Sequence, residues 1–394
     1  MKTYLPEISL YFFILFLISQ QLAYYFLFCY KILTKQVTAM LDKTILPFLL
    51  LLFFTIGCNS VEPPPNGNSV DTTSHNFTWQ NWTFGEHSSS VIYDVAIIDE
   101  NNIWAVGEIY LNDSLGQPDP IAYNATYWDG NEWKLIRIMT NACGGVVYPP
   151  IQAIFDFSSN DILFAHIDGS ISHFNGTEFN NDCSLITQLN GSAYRMWGKT
   201  KDDFYVVSGN GFIAHYQNDN WTSIESGTDL DIYDIWGDYN TINGTYDIIA
   251  VAAKQFVNYD KKIFRINGNT VQNILTDSIP YSIHGVWFKS GKKYFVAGAG
   301  LYSKNNVNST SQWGLLHPGD INYYLYAIRG QETNDLFTCG AFGETIHYNG
   351  NTWKSFINET AISNGAFNNI DFNKDIVVAV GYDSPKAVIK MGTR

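Results

Sequence analysis

The sequence predicts an all-β fold, a seven-bladed β-propeller built from four-stranded blades. Three observations predict it: a recurring apolar residue that opens the second strand of each unit, a second apolar residue upstream of it, and a repeated hairpin dipeptide. The second-strand anchors recur in steps of 59, 42, 44, 46, 42 and 40 residues, at Ile103, Ile162, Phe204, Ile248, Tyr294, Leu336 and Ile376. A period in the low forties with four short strands per unit is typical of propeller blades.

The second apolar residue lies in the predicted first strand of each unit and supports the same alignment. It precedes the second-strand anchor by 8 residues in five units, by 13 in the fourth and by 6 in the seventh. These first-strand anchors are Val95, Ile154, Met196, Ile235, Val286, Ile328 and Ile370. The constant register indicates one repeated supersecondary unit, with an insertion around residues 241–245 in the fourth.

A two-residue turn is predicted between the third and fourth strands of most units. Asn-Gly and Asp-Gly pairs favour such hairpins because both residues tolerate the left-handed backbone that the turn needs. The pairs begin at Asp129, Asn175, Asn267 and Asn349, with Asn218-Asp219 as a near variant. A large side chain follows each pair, and we expect it to pack between neighbouring blades: Trp133, Phe179, Trp221, Val271 and Trp353.

The ring is predicted to close through its own beginning. The seventh unit ends at Arg394 without a clear fourth strand, whereas residues 77–84 form a strand-like segment ahead of the first unit. We therefore expect residues 77–84 to complete the seventh blade, which would leave no long unpaired edge. Residues 77–394 then form one propeller domain.

The first 76 residues are predicted to lie outside that domain. Residues 40–57, with Thr55-Ile-Gly-Cys58, resemble a bacterial lipoprotein signal peptide and its lipobox. The resemblance implies lipidation of Cys58, with palmitate among the acyl chains, and anchoring in the outer membrane of the cell envelope. The alternative is an ordinary signal peptide with an incidental cysteine.

Two further segments flank this signal. Residues 1–39 form an apolar leader, which we interpret as the product of a wrong gene start, with Met40 as the true start; the alternative is a transmembrane helix. Residues 58–76 are polar and proline-rich and are predicted to be a flexible tether. Whether the domain faces the periplasm or the cell surface stays open.

Composition excludes several classes of function. A formal net charge of −14, with 23 Lys plus Arg, repels phosphate backbones, so we expect no nucleic-acid partner. No nucleophile elbow, HExxH zinc motif or phosphate-binding loop occurs in the sequence. We therefore predict no cofactor, no metal and no catalytic residue that can be named, and we expect a monomer.

Two of the five cysteines are candidates for a disulfide. Cys143 and Cys183 both fall in predicted connections between one blade and the next, one blade apart. An exported protein occupies a compartment that permits disulfides, and a bridge here would stabilise the fold by about 3 to 4 kcal/mol. The alternative is that the two loops point apart and both thiols stay free.

Two repeated columns of polar residues invite a catalytic or metal-binding interpretation. His173, His215 and His347 share one position of the repeat. Because they stand on different blades, we expect structural packing instead of a three-histidine metal site. The second column comprises Asp161, Asp203, Asp247 and Asp335. These aspartates precede strands, which favours turn capping over paired catalysis.

Long loops provide the candidate binding surface. In a four-stranded meander, second-to-third loops and blade-to-blade loops emerge on the same face, so residues 108–120, 141–150 and 180–191 should cluster over the first three blades. Insertions on one face of a repeat scaffold commonly bind ligands. Tyr110, Asp119 and Tyr148 are the candidate binding residues on these loops, although neutral variation of the loops explains their length equally well.

The repeat as a whole resembles known propellers. Trp-Gly-x-x-x-x-Asp with three apolar residues, and then Ile-x-His-Tyr-x-Gly-x-x-Trp, is similar to propeller lipoproteins of environmental bacteria and, more loosely, to kelch, Asp-box and photosystem-assembly-factor propellers. The resemblance covers residues 77–394 and implies the fold without a particular activity, because propellers host many unrelated functions.

Three hypotheses for the function follow. The first is a lipid-anchored, non-catalytic binding or scaffolding module for a protein or glycan on the loop-rich face. The second is a carbohydrate-active enzyme, which a convergence of two or more carboxylates at one channel mouth would favour. The third is an assembly factor for an envelope complex.

Overall fold

A computed structural model describes residues 71–140, 143–189, 191–257, 259–316 and 321–394. The described residues belong to one compact unit, Val70–Arg394. The predicted leader 1–39, the signal peptide 40–57, Cys58 and the first part of the tether lie outside the described residues. Within the ranges described, no helix is long and apolar enough to cross a membrane.

Seven four-stranded antiparallel sheets make up the described part of the chain, and each is one blade. The first two blades comprise β2 (Val91–Asp99), β3 (Asn102–Ile109), β4 (Tyr123–Trp128) and β5 (Trp133–Ile136), then β6 (Ile151–Ser158), β7 (Asp161–His166), β8 (Ile171–Phe174) and β9 (Phe179–Asp182). The third and fourth comprise β10 (Ala193–Thr200), β11 (Asp203–Ser208), β12 (Ile213–Gln217) and β13 (Asn220–Ile224), then β14 (Asp231–Asn240), β15 (Thr245–Ala253), β16 (Lys261–Asn267) and β17 (Thr270–Ile274).

The remaining blades follow the same order. The fifth comprises β18 (Ile283–Lys289), β19 (Lys293–Gly298), β20 (Gly300–Lys304) and β21 (Gly314–Leu315), and the sixth comprises β22 (Leu325–Glu332), β23 (Asp335–Gly340), β24 (Thr345–Tyr348) and β25 (Trp353–Ser355). A short helix, α1 (Ile357–Thr360), leads into the seventh blade, which comprises β26 (Gly365–Asn373), β27 (Ile376–Asp383), β28 (Lys386–Thr393) and β1 (Thr78–Phe84).

The blades form a closed ring. The first strands of successive blades contact one another in chain order, and β26 of the seventh blade contacts β2 of the first. Strand β1 pairs with β28 over seven residues and is the outermost strand of the seventh blade. The predicted seven-bladed fold and its closure by the N-terminal strand are confirmed.

The sequence anchors occupy the strands to which they were assigned. Every second-strand anchor lies in the second strand of its blade and every first-strand anchor in the first. The aromatic residues after the hairpin turns pack between blades: Trp133 contacts the cluster that includes Ile389 of the seventh blade, and Phe179 packs with Trp104 of the first.

Close packing between blades also explains one glycine of the repeat. A Cβ on Gly237 would lie 2.3 Å from Cζ2 of Trp197, which belongs to the preceding blade. Only a residue without a side chain leaves room for that indole ring. The Trp-Gly pair of one blade therefore positions the next.

The first strands define two faces of the ring. They begin at the face that we call upper, where the blade-to-blade connections and the loops between second and third strands emerge. They end at the lower face. Thr78 pairs with Thr393, which also pairs with Ile376 just beyond the end of β26, so the chain enters β1 at the lower face.

Candidate functional site

A β-bulge interrupts the first strand of every blade close to the upper face. In the first blade Ile92 pairs with Gly107 and Asp94 pairs with Val106, which leaves Tyr93 without a partner on β3. One residue is skipped in the same way in each blade, and the seven are Tyr93, Gln152, Tyr194, Tyr233, His284, Tyr326 and Asn368. Because a bulge re-aims the side chain of the extra residue, the repeat presents one side chain from each blade at the same height. We call these seven residues the bulge ring.

All seven residues line one cavity of about 370 Å³, which we call the upper cavity. Arg195, Gln255 and Tyr382 also line it. The upper cavity is therefore built mainly from polar and aromatic side chains that the sevenfold repeat brings together.

Part of the bulge ring is stacked upon itself. The rings of Tyr194 and Tyr233 are parallel to within 6°, with centroids 6.2 Å apart. Tyr233 and His284 stack at 4.2 Å. These two stacks cover both faces of Tyr233 and one face each of Tyr194 and His284, so less ring face remains for a ligand.

The ionisation of the ring residues favours hydrogen bonding over acid–base work. Burial raises the pKa of the Tyr194, Tyr233 and Tyr326 phenols, so these hydroxyls stay protonated at neutral pH. Burial lowers the pKa of His284 to about 4. Its Nδ1–H donates to the backbone carbonyl of Tyr326 at 2.7 Å, which leaves Nε2 as an acceptor. A histidine with so low a pKa is a weak base.

Tyr110, predicted as a binding residue, is connected to the bulge ring through Glu108. The hydroxyls of Tyr93 and Tyr110 each donate to one oxygen of Glu108 at 2.9 Å. The backbone N–H of Tyr110 donates to Ser90 Oγ at 3.0 Å. The first part of the long loop of the first blade is thereby held at the edge of the upper cavity.

The other two predicted binding residues lie elsewhere on the first blade and its connection. Asp119 accepts hydrogen bonds from the backbone N–H of Ile121 and from Nη2 of Arg137, at 2.9 and 2.6 Å, and these bonds lower the pKa of Asp119. Tyr148 is half-buried in the connection between β5 and β6. Neither is among the described residues that line the upper cavity.

Cys143 and Cys183 form a disulfide in this structure, with their Cα atoms 5.5 Å apart. The bond joins the connection between β5 and β6 to the connection between β9 and β10. Both connections lie on the upper face, so a covalent link joins two neighbouring loops of that face.

The two polar columns of the repeat are paired with each other. Nε2 of His215 lies 2.8 Å from Asp203 Oδ1 and Nε2 of His347 lies 2.8 Å from Asp335 Oδ1. His173 contacts Asp161 in the same way. The separation of 12 residues in each pair is the sequence signal that would have revealed them. Among the described residues, no group of three or more metal-ligating side chains could hold a metal ion.

At the sixth blade this pair grows into a larger network, which we call the lower seam. Asp335 accepts hydrogen bonds from His347, from the hydroxyl of Thr73 at 3.0 Å and from Nη2 of Arg394 at 2.7 Å. His75 Nδ1 lies 2.7 Å from His347 Nδ1. The segment before β1 and the C-terminal residue are thus fastened to the same carboxylate.

Carboxylates also converge inside the channel. Asp94, Asp156 and Asp371 line a cavity of about 170 Å³, which we call the channel cavity. Asp94 accepts from the backbone N–H of Ile154 at 3.0 Å, and Asp371 accepts from that of Ile97 at 2.7 Å, so both carboxylates tie one blade to the next. Burial and, after it, the charge of Asp371 raise the pKa of Asp156 to about 7.

The bulge ring was missed at the level of sequence. Each of its members lies two residues before the first-strand anchor of its blade, for example Tyr233 before Ile235. The column was therefore visible in the alignment. The direction in which these side chains point was not visible, because strict alternation places residues two apart on the same face of a strand and would direct them to the same side as the anchors.

Comparison with known proteins shows the fold. No protein-family model and no curated protein matches the chain. Among solved structures, one described as "YCF48 bound to D1 peptide" is similar with a TM-score of 0.58 and 14% identity, covering 83% of this chain and all of that one. The WD40 β-propeller domain of Doa1 has a TM-score of 0.56 at 10% identity, covering 81% of this chain and 98% of its own.

An enzyme shares the same architecture. Virginiamycin B lyase from Staphylococcus aureus has a TM-score of 0.56 at 10% identity and covers 81% of this chain and 100% of its own. A peptide-bound propeller, a WD40 domain and an enzyme thus have similar TM-scores to this chain. The comparisons establish a propeller, and the activity has to be argued from the residues.

Proposed function

We propose that this chain is a lipid-anchored binding module of the bacterial cell envelope that holds a segment of a partner protein in the upper cavity without catalysing a reaction on it. The bulge ring is the observation that carries the proposal, because all seven blades contribute one side chain to it. The volume of about 370 Å³ falls in the range of ligand pockets, about 300 to 1,000 Å³.

The chemistry of the lining favours a polypeptide over a glycan. Tyrosine hydroxyls, the Gln152 and Gln255 amides and Nε2 of His284 match the donors and acceptors of a peptide backbone. Glycan recognition commonly uses open aromatic faces, whereas the faces of Tyr194, Tyr233 and His284 are stacked on one another. A similar structure is described as bound to a peptide, which supports this choice.

Carbohydrate hydrolysis is the second candidate, because carboxylates do converge in the channel. Asp156, with a pKa near 7, has the character of a general acid, and Asp371 lies close enough for its charge to contribute to that pKa. However, the channel cavity of about 170 Å³ is smaller than ordinary substrate pockets, and Asp371 is engaged by the Ile97 amide. Asp156→Asn would abolish hydrolysis and leave binding in the upper cavity intact.

The lipid anchor is proposed from the sequence alone, on the lipobox that ends at Cys58. Cells grown with labelled palmitate should label the wild-type protein and not Cys58→Ser. Labelling of both proteins, or of neither, contradicts an anchor at Cys58. An assembly factor is a narrower form of the same proposal, in which the bound segment belongs to a subunit of an envelope complex.

The decisive experiment is photocross-linking in cells. A benzoylphenylalanine at Tyr382, which lines the upper cavity, should cross-link one polypeptide through one segment. The same residue at Tyr239 serves as a control, because Tyr239 is 48% exposed and lies at the lower face. Deletion of residues 108–120 should weaken the first cross-link by removing the Glu108 contact.

Mass spectrometry of the product distinguishes the alternatives. A peptide adduct from position 382 and none from position 239 supports the proposal. Equal cross-linking from both positions, or an adduct made of carbohydrate, overturns it.

A further inference from the structure

Two arginines are buried at the centre of the ring, and their surroundings differ. Arg195 and Arg329 are each 9% exposed. Nη1 and Nη2 of Arg329 donate to the two carboxylate oxygens of Asp234, each at 2.9 Å. Arg195 donates instead to backbone carbonyls, from Nη1 to Tyr194 at 2.7 Å and from Nη2 to Asn368 at 3.0 Å. Among the described residues, no carboxylate forms an ion pair with Arg195.

Asp94 is the acidic residue that feels the charge of Arg195. Burial raises the pKa of Asp94, and Arg195 opposes that effect. The Asp94 oxygens are already used, since they accept from the backbone N–H groups of Val95 and Ile154 and from the amide of Asn369. Asp94 therefore offsets part of the charge of Arg195 through space and makes no direct contact with it.

A buried guanidinium without a direct counter-charge is costly, and buried charges in proteins are ordinarily paired. Arg195 lines the floor of the upper cavity, and three of its five N–H groups are not used by the two carbonyls. Tyr194 and Tyr326 line the same space, and their hydroxyls can donate hydrogen bonds to an oxygen atom.

We propose that Arg195 binds a carboxylate of the polypeptide held in the upper cavity, an inference that rests on the proposed function. The carboxylate is either the C-terminal group or an acidic side chain, and both offer the planar pair of oxygens that a guanidinium binds with two hydrogen bonds.

Charge balance favours a carboxylate over a phosphate. One guanidinium compensates one negative charge, whereas phosphate sites commonly combine several cationic groups. Glu108 and Asp231 lie close to the cavity, where they contact Tyr93 and Tyr233, and the whole chain carries a formal charge of −14. These charges would repel a dianion more strongly than a monoanion.

The first test uses a small probe with the purified full-length protein. Sodium propionate should raise the thermal unfolding midpoint more than sodium chloride at equal ionic strength, because it binds the native state. Propionamide should have no such effect. Arg195→Gln should lose the propionate shift, and Lys292→Gln, a charge-matched control at the lower face, should keep it.

The second test identifies the source of the carboxylate. Random nonapeptides are prepared in three sets: a free C-terminus without acidic residues, an amidated C-terminus with Asp and Glu, and an amidated C-terminus without them. We expect the wild-type protein to prefer one of the first two sets over the third by about tenfold or more. Arg195→Gln should lose the preference, and Arg195→Lys, which keeps the charge without the planar fork, should retain part of it.

The outcomes separate this inference from the proposed function. Equal binding of all three sets by the wild-type protein overturns the carboxylate while leaving peptide binding in place. If none of the peptides binds and the propionate shift depends on Arg195, the anion site is supported and the proposal of a polypeptide ligand is overturned. A propionate shift that survives in a folded Arg195→Gln protein overturns the inference outright.

Discussion

The upper cavity and the lower seam use the same kinds of residue and differ in how completely those residues are paired. At the lower seam, Asp335 accepts from His347, Thr73 and Arg394. At the upper cavity, Arg195 donates hydrogen bonds only to carbonyls among the described residues, and Nε2 of His284 has no hydrogen-bond donor among them. Binding capacity therefore lies where polar groups keep unused donors and acceptors. The repeated His and Asp columns are conspicuous in sequence, but they pair with each other.

The disulfide should give the largest effect on stability, because it joins two loops of the upper face by a covalent bond. Replacing both Cys143 and Cys183 by serine should lower the free energy of unfolding by about 4 kcal/mol, since the bond closes a loop with a sequence separation of 40 residues. Chemical denaturation with and without a reducing agent measures it. Reduction should destabilise the wild-type protein and leave the double variant unchanged; equal sensitivity of both proteins contradicts the bond.

The lower seam should respond almost as strongly to the loss of one carboxylate. Asp335→Ala removes the carboxylate that His347 and Arg394 share, and Arg394 keeps the more exposed Asp375 as its acidic partner. The loss should cost about 3 kcal/mol. Asp161→Ala is the matched control in the same repeat column, and its carboxylate is more exposed and has no arginine partner among the described residues. We expect a loss of about 1 kcal/mol there. Equal losses in the two variants would show that the seam adds nothing to the single His–Asp pair.

The smallest effect is a gain in stability from the channel. The folded-state pKa of Asp156, about 7, lies well above the ordinary value of an aspartate, so the folded state binds a proton more tightly than the unfolded state. Protonation of Asp156 therefore stabilises the folded state in full below about pH 4, and this stabilisation is lost as the pH rises through 7. At pH 8 the folded protein carries a buried, ionised carboxylate at Asp156, which costs free energy. Asp156→Asn removes this cost and should raise the free energy of unfolding by roughly 2 kcal/mol at pH 8. The increase in the free energy of unfolding should be smaller at pH 5. An increase that does not depend on pH would show that better packing, and not the loss of a buried charge, stabilises the variant.

The architecture was predictable from sequence because it depends on spacing. The apolar anchors, the Asn-Gly turns and the strand at residues 77–84 each carry a local signal, and the sevenfold repetition removes most alternatives. The candidate site was not predictable in the same way. Loop length directed attention to Tyr110, Asp119 and Tyr148, of which the first reaches the bulge ring through Glu108.

The bulge ring was hidden because a bulge is a property of the backbone. In a regular strand, Tyr233 and Ile235 would point to the same side, and Tyr233 would have been assigned to packing between blades. The extra residue in β14 reverses that assignment. The sequence likewise does not show that Arg195 has no ion pair among the described residues. Arg329 is also an arginine next to a first-strand anchor, and yet it is paired with Asp234.

The strand that closes the ring also determines how the domain would resist a pulling force. Seven residue pairs join β1 to β28, from Thr78 with Thr393 to Phe84 with Ala387. Tension on residues 71–77 that is directed along β1 acts parallel to the strands, whereas the hydrogen bonds between strands run across them. All seven pairs would then share the load in shear instead of peeling apart one by one. The ring would therefore stay closed under such tension.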